Sequence, residues 1–385
     1  MFAYGIFKVI YAPHKAFKEI IQNPRYIGPV AVMILFVAAN VASTYSLLVR
    51  TYVEETFPTP KDEWTENSSL WRAIDGASPT ENYTDYVEGN IYGNRSIEFT
   101  VKSSTELSMQ LDNIGPIKCS SQDGYSKLYL RMKWISPSAS PKNVSVYLYS
   151  VTLSNYFHRD LTEKFSNATV NVWNNITMTL ADEKWSRVNA ADWAKITGLK
   201  LVLTWPEKSD ITVLVDGLFF GGVYKSYAEN VTAYLANYAA ISFMQFVVRW
   251  VLLGGIIYIM GKAFKANILW RVTLILVGFA LITMFIQALI NTATFSTTLP
   301  ALKYTFEYVG GVKGESETAY SKILEETWLV NQIYNYVQVA IIIWTIALCA
   351  IAVRLTAEFS WAKSFLITTA AYFTATTVES LLIGI

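Results

Sequence analysis

Two residue types common in catalytic and metal sites are nearly absent. The 385-residue chain has two histidines, His14 and His158, and two cysteines, Cys119 and Cys349. Each member of these pairs falls on the opposite side of a predicted membrane from its fellow, or inside it. That excludes His-rich metal sites, most Ser/His or Cys/His nucleophile pairs, and a Cys119–Cys349 bridge. Charge is also scarce: 16% of residues are charged and 52% hydrophobic, with mean hydropathy +0.29. The chain is too apolar for an ordinary soluble protein of this length. A net charge of +1 gives no signal for nucleic acid or an acidic substrate. No Walker loop, H-E-x-x-H, C-x-x-C or G-x-S-x-G occurs. Gly310, Gly311 and Gly314 follow no predicted strand and make no phosphate loop. The expectation is a protein that is not an enzyme and needs no cofactor.

What is present is apolar length. Five runs can each span a hydrocarbon core, which takes about 20 helical residues. They are Ile27–Val49, Ala233–Met260, Val272–Ala293, Ile333–Val353 and Ser364–Ile385. The first is longer than a signal h-region, lacks a clear cleavage site, and reads as a signal anchor. Lys8, Lys15, Lys18 and Arg25 precede it against Glu19 alone. Lys262, Lys265 and Arg271 fill the next short loop, and Arg354 and Lys363 bracket the last. The positive-inside rule then puts the N-terminus in the cytoplasm and the segment 50–229 and the C-terminus outside, in a multi-pass plasma-membrane protein.

The sequons agree. N-x-S/T occurs at Asn67, Asn82, Asn94, Asn143, Asn167, Asn175 and Asn230, all on the predicted outside; none of the seven asparagines elsewhere is in one. A Ser/Thr/Asn-rich surface produces such motifs by composition, but their segregation to one side favours glycosylation.

The exterior segment 50–229 is long enough for one domain. Short alternating runs such as "SIEFTVKS", "TELSMQLD", "SKLYLRMKWI" and "NVSVYLYSVTL" predict an antiparallel sandwich. In "ITGLKLVLTWPEKSDITVLVDGLFFGG" the spacing predicts two strands joined by a turn at "PEKSD". The stretch from "WNNITMTL" through "VDGLFFGG" resembles the C-terminal half of a carbohydrate-binding-module or galactose-binding-like jelly roll. That resemblance implies fold; it is weak for sugar binding, because the fold also serves structural roles. Asp216, in "VDG", reads either as a ligand to a structural calcium or as a hydrogen-bonded acid ending the strand. The second is favoured because spacing ties no other carboxylate to it. Trp134, Tyr147, Tyr149, Trp173, Trp185, Trp193 and Trp205 could supply a sugar-stacking platform, though sandwich aromatics are more often core.

"FAYGIFKVIYAPHKAFKEIIQNPRYIGPV" predicts an amphipathic helix over part of residues 1–26, starting at Pro13 and ending before Pro24, lying at the cytoplasmic interface. This stretch also resembles the entry segment of the Yip family (Ypt-interacting, five-span membrane proteins). "LLGGIIYIMGKAFKANILWRVTLILVGFALI" resembles the family's second span, basic turn and third span. "IIIWTIALCAIAVRLTAEFSWAKSFLITTAAYF" resembles its last two spans. The resemblance implies a five-helix bundle. The acidic "DLYGP" motif of eukaryotic members is absent, and the exterior segment is inserted after span one. Both depart from a GTPase-linked role and imply a prokaryotic, archaeal-type member.

Charges inside the spans complete the reading. At ~1.5 Å per residue, Arg249 and Glu379 lie ~20 and ~24 Å above Lys262 and Lys363, at depths matched within a helical turn. They are expected to pair or to face one polar cavity, extended by Gln287, Asn291, Asn335 and Gln338. The leading functional reading is a non-catalytic scaffold or accessory subunit. Its partners would be lipids, other membrane subunits and glycans, in secretion or N-glycosylation machinery such as a translocon or oligosaccharyltransferase. The alternatives are a transporter or lipid-handling protein using Arg249 and Glu379, and a surface glycan receptor.

Overall fold

A computed structural model describes residues 2–59, 61–74, 76–89, 91–119, 124–165, 168–309 and 314–383. Asn167, Gly310 and Gly311 lie outside the described residues, as does the side chain of Asn230. The chain divides into two units. One is helical, from Met1–Thr51, Ser226–Leu302 and Leu324–Ile385; the other joins Tyr52–Lys225 to Lys303–Ile323. The segment 303–323, a plain inter-span loop by sequence, thus belongs to the β unit.

Five helices of the first unit are long and apolar enough to cross a membrane: Ile27–Leu48, Val231–Ala263, Trp270–Thr297, Trp328–Ala357 and Trp361–Ile383. We call them spans one to five. The third breaks at Leu281 into Trp270–Ala280 and Ile282–Thr297. The break governs the packing. The lower half touches spans one, two and four, and every residue of Ile275–Ala280 is buried. The upper half touches spans one and four and makes little contact with span two. Contacts link span one to span two, span two to span five, span five to span four, span four to upper span three, and upper span three back to span one.

Small residues let the lower half in, as expected where lipid supplies no hydrophobic drive and packing must be close. A Cβ on Gly28 would come within 1.9 Å of the Phe279 ring, and one on Gly278 within 2.5 Å of Pro29. Trp250 Nε1 donates to Leu274 O at 2.6 Å beside this contact. Residues before span one form two helices, Phe2–Tyr11 and Pro13–Gln22, rather than a single one. Val9 and Phe17 are fully buried in the bundle core, so this amphipathic face packs on protein.

The β unit is an antiparallel sandwich built on two long strands, Ser96–Ile117 and Ile196–Ser226. The predicted turn at "PEKSD" is a bend within one continuous strand. The register between the two strands slips at Thr204/Ser209 and Ser209/Ile211, opposite Ser104, and Ser103 has φ 49°. A bend with bulges lets one strand serve both layers. Residues 196–204 pair with Asn143–Ser150, and 212–221 with Lys127–Ser136. Before the bend the expected alternation holds: Leu199, Leu201, Leu203 and Trp205 are buried. From Val213 to Gly221 both faces are buried, because a second small core covers the outer face. Val87, Tyr92, Tyr129, Phe219 and Phe306 form it. Cys119 and Cys349 are free and buried, one in each unit.

Candidate functional site

Arg249 and Glu379 meet inside the bundle. Arg249 Nε donates to Glu379 Oε2 at 2.6 Å and Nη2 to Oε1 at 2.9 Å. This two-point fork is the strong geometry for guanidinium and carboxylate. Glu379 is buried. The pair leaves this part of the bundle electrically neutral, which offsets much of the cost of placing charge at this depth.

Beside the pair is a cavity of about 370 Å³, within the roughly 300–1,000 Å³ usual for ligand sites. It lies between span two and upper span three, with residues of the other three spans completing its lining. Its polar lining is Asn40, Gln245, Arg249, Gln287, Asn291 and Gln338. Tyr334, Tyr372 and Thr376 also line it, and Phe36, Ile342 and Phe373 are among its apolar walls. The lining runs from mid-helix toward the ends at Leu48, Val231, Thr297 and Trp328. Asn40 Nδ2 donates to Ser242 Oγ at 2.6 Å. Among the described residues, the amides of Gln245, Gln287, Asn291 and Gln338 have no hydrogen-bond partner in the protein.

Of the residues singled out by sequence, Arg249, Gln287, Asn291 and Gln338 line this cavity, and Glu379 holds Arg249. Asn335 does not line it and is exposed. Tyr334 takes the inward position, and the next residue is turned about 100° away. Sequence reasoning missed Asn40, Gln245, Tyr334, Tyr372 and Thr376. Gln245 carried a usable signal, one helical turn before Arg249 on the same face.

In the β unit, Asp216 is wholly buried. It accepts hydrogen bonds from Val87 N (2.7 Å), Gly217 N (2.7 Å) and Thr65 Oγ1 (3.1 Å). The structure adds a second carboxylate that spacing did not reveal. Asp62 accepts from Trp64 N, Thr65 N and Leu218 N, and it contacts the same Thr65 hydroxyl. The Thr65 hydroxyl thus lies between the two carboxylates. Burial pushes Asp62 up to about 6. Burial, with the charge of Asp62, raises Asp216 well above the ordinary carboxylate range. Protein donors already occupy these oxygens, and among the described residues no group of three or more His, Cys, Asp or Glu is placed to hold a metal. The residues present do not fit a calcium ion, which needs oxygen acceptors facing it.

The aromatic candidates divide. Trp134, Tyr149, Trp185 and Trp205 are buried, and Trp193 stacks on Phe157 at 3.8 Å. Trp173 packs on the small second core. Tyr147 is half-buried on the outer face of its strand, with His158 at 4.6 Å and Tyr156 at 5.6 Å. The sequons also differ. Asn67, Asn94, Asn143 and Asn175 are exposed, but the amide nitrogens of Asn82 and Asn175 donate to Glu98 and Glu315.

Five apolar helices around a polar cavity, with an antiparallel sandwich as second unit, define a multi-pass membrane protein with a large β domain. The Yip1 domain family profile matches residues 203–378, which take in spans two to four, span five as far as residue 378, and most of the strand Ile196–Ser226. The expected Yip resemblance is met over that range; the match is short of half the chain and leaves out span one and the segment before it. Among solved structures, similar chains include a family 11 carbohydrate-binding module from Clostridium thermocellum. It is 11% identical, covers 43% of this chain and 94% of its own, and has TM-score 0.29. A family 30 module of a cellulosomal cellulase of the same organism is 13% identical, covers 46% and 99%, and has TM-score 0.31. Comparison with curated proteins gives no match.

Proposed function

We propose that this is a non-catalytic membrane protein that holds the polar head of a lipid in its bundle. One observation supports the reading above the others: amides without protein partners share a cavity with a neutralised arginine. A pair that served only to fix helix packing would need no such cavity. Unsatisfied amides within a bilayer are costly unless a ligand or water meets them. The N-terminus lies in the cytoplasm and the β domain outside the plasma membrane, a reading drawn from the basic helix ends and the sequons. Glycans are carried at Asn67, Asn94 and Asn143 in preference to Asn82 and Asn175, and glycopeptide mass spectrometry checks both side and sites.

Native mass spectrometry of protein purified in mild detergent tests the main reading. It predicts a retained lipid that is lost when Gln287→Leu and Asn291→Leu are combined. A lipid-free protein, or the same adduct in the variant, counts against it and favours the plain scaffold. The accessory-subunit role, with secretion or N-glycosylation machinery as partner, draws on the pairing of a bundle with an exterior sandwich. Copurification tests it, and a lone monomer speaks against it. A second binding reading rests on the half-buried Tyr147–Tyr156–His158 face, which offers rings for stacking. Glycan-array binding that is lost in Tyr147→Ala would support it.

A further inference from the structure

We infer that the head held in the cavity is an uncharged, hydroxyl-rich one, a sugar or polyol; this rests on the lipid-head reading above and names its chemistry. The first reason is charge. Arg249 spends Nε and Nη2 on Glu379, so an anionic head entering the cavity would find the guanidinium neutralised and a carboxylate beside it. A phosphate also accepts hydrogen bonds without donating, and it is served by clustered cations. Among the described residues of the lining, Arg249 alone is charged.

The second reason is hydrogen-bond matching. Each amide of Gln245, Gln287, Asn291 and Gln338 offers a donor and an acceptor. A hydroxyl needs both. Four unpartnered amides from spans two, three and four therefore suit a ring of hydroxyls better than an acceptor-only phosphate or a donor-less quaternary ammonium. For a quaternary ammonium, an aromatic cage would be the usual host.

The third reason is the way out. Phe373 is 54% exposed and Gln338 is also exposed, and both line the cavity. An acyl chain can leave the site past Phe373 while the head stays among the amides.

Native mass spectrometry of the full chain tests the inference, with micelles holding equal amounts of a monoglucosyl diacylglycerol, phosphatidic acid and phosphatidylcholine. Methyl glucoside is titrated separately against thermal unfolding. The expected result is retention of the glucolipid about tenfold over phosphatidic acid, as a few matched hydrogen bonds give. The Gln287→Leu/Asn291→Leu pair removes the preference. Gln338→Leu, at the exposed rim where folding is least at risk, reduces it. Preference for phosphatidic acid overturns the polyol assignment and leaves the lipid-head reading standing. Retention of none of the three overturns both. Methyl glucoside binding as tightly as the glucolipid supports the polyol chemistry and moves its source from lipid to free sugar.

Discussion

The bundle and the β domain each pair an arginine with a glutamate, and it is the glutamate that is buried in the bundle and the arginine in the β domain. In the β domain, Arg131 is fully buried, with its guanidinium 5.7 Å from the centre of the Tyr92 ring and 5.8 Å from that of Phe306. Its Nη2 reaches Glu315 at 3.0 Å. Rings and sheet close over the pair. In the bundle, Arg249 makes the better fork yet borders an open polar cavity. Arg131 Nε and Nη1 are themselves buried without a hydrogen-bond partner among the described residues, and the charge is met by Glu315 and the two ring faces. A pair that is satisfied internally, but whose neighbours are not, marks a place where something else is to bind.

This contrast can be broken in several ways. The largest effect is expected at the sealed pair. Glu315→Ala leaves Arg131 charged, dry and unpaired, and should cost about 3–5 kcal/mol, read as a drop in the thermal transition of the β domain. A loss near zero would mean that Arg131 is reached by water. Next is Glu379→Ala, where the cavity can admit water to Arg249, so a smaller cost of about 1–3 kcal/mol is expected. The Arg249→Ala/Glu379→Ala double variant should recover part of that cost; simple additivity would show that the fork carries no coupling.

The smallest effect is a pH dependence in the β domain. Asp62 is raised from 3.8 to about 6 in the fold, so its protonated form favours the native state. Its contribution is fully present below pH 3.8 and is lost as pH rises through about 6. Asp216, shifted in the same direction, extends the loss upward. A shift of this size corresponds to at most about 3 kcal/mol. Melting temperatures between pH 4 and 8 should fall more steeply for the wild type than for Asp62→Asn. Parallel curves would mean that burial does not raise Asp62 in the fold.

Much of this was legible in the sequence. Period-two alternation gave the strands, apolar length gave the spans, and counting residues from Lys262 and Lys363 matched Arg249 with Glu379. Other features were not. The single strand Ile196–Ser226 reads as two because Pro206 to Asp210 has the composition of a turn, and only the partner strand shows that pairing continues through it. The break at Leu281 carries no proline or glycine of its own, so the opening above it has no local signature. Arg131 and Glu315 are 184 residues apart, and Asp62 and Asp216 are joined through a threonine that no spacing rule selects.

The central claim is that the bundle holds an open polar site rather than a packed seam. The most direct test replaces Asn291 with cysteine in a background where Cys119 and Cys349 are alanine, with protein in nanodiscs that expose both faces. Asn291→Cys is expected to react with a water-soluble maleimide well above the exposed span-four control Ile343→Cys, and added glucolipid is expected to slow the reaction. Labelling no faster than the control would contradict it.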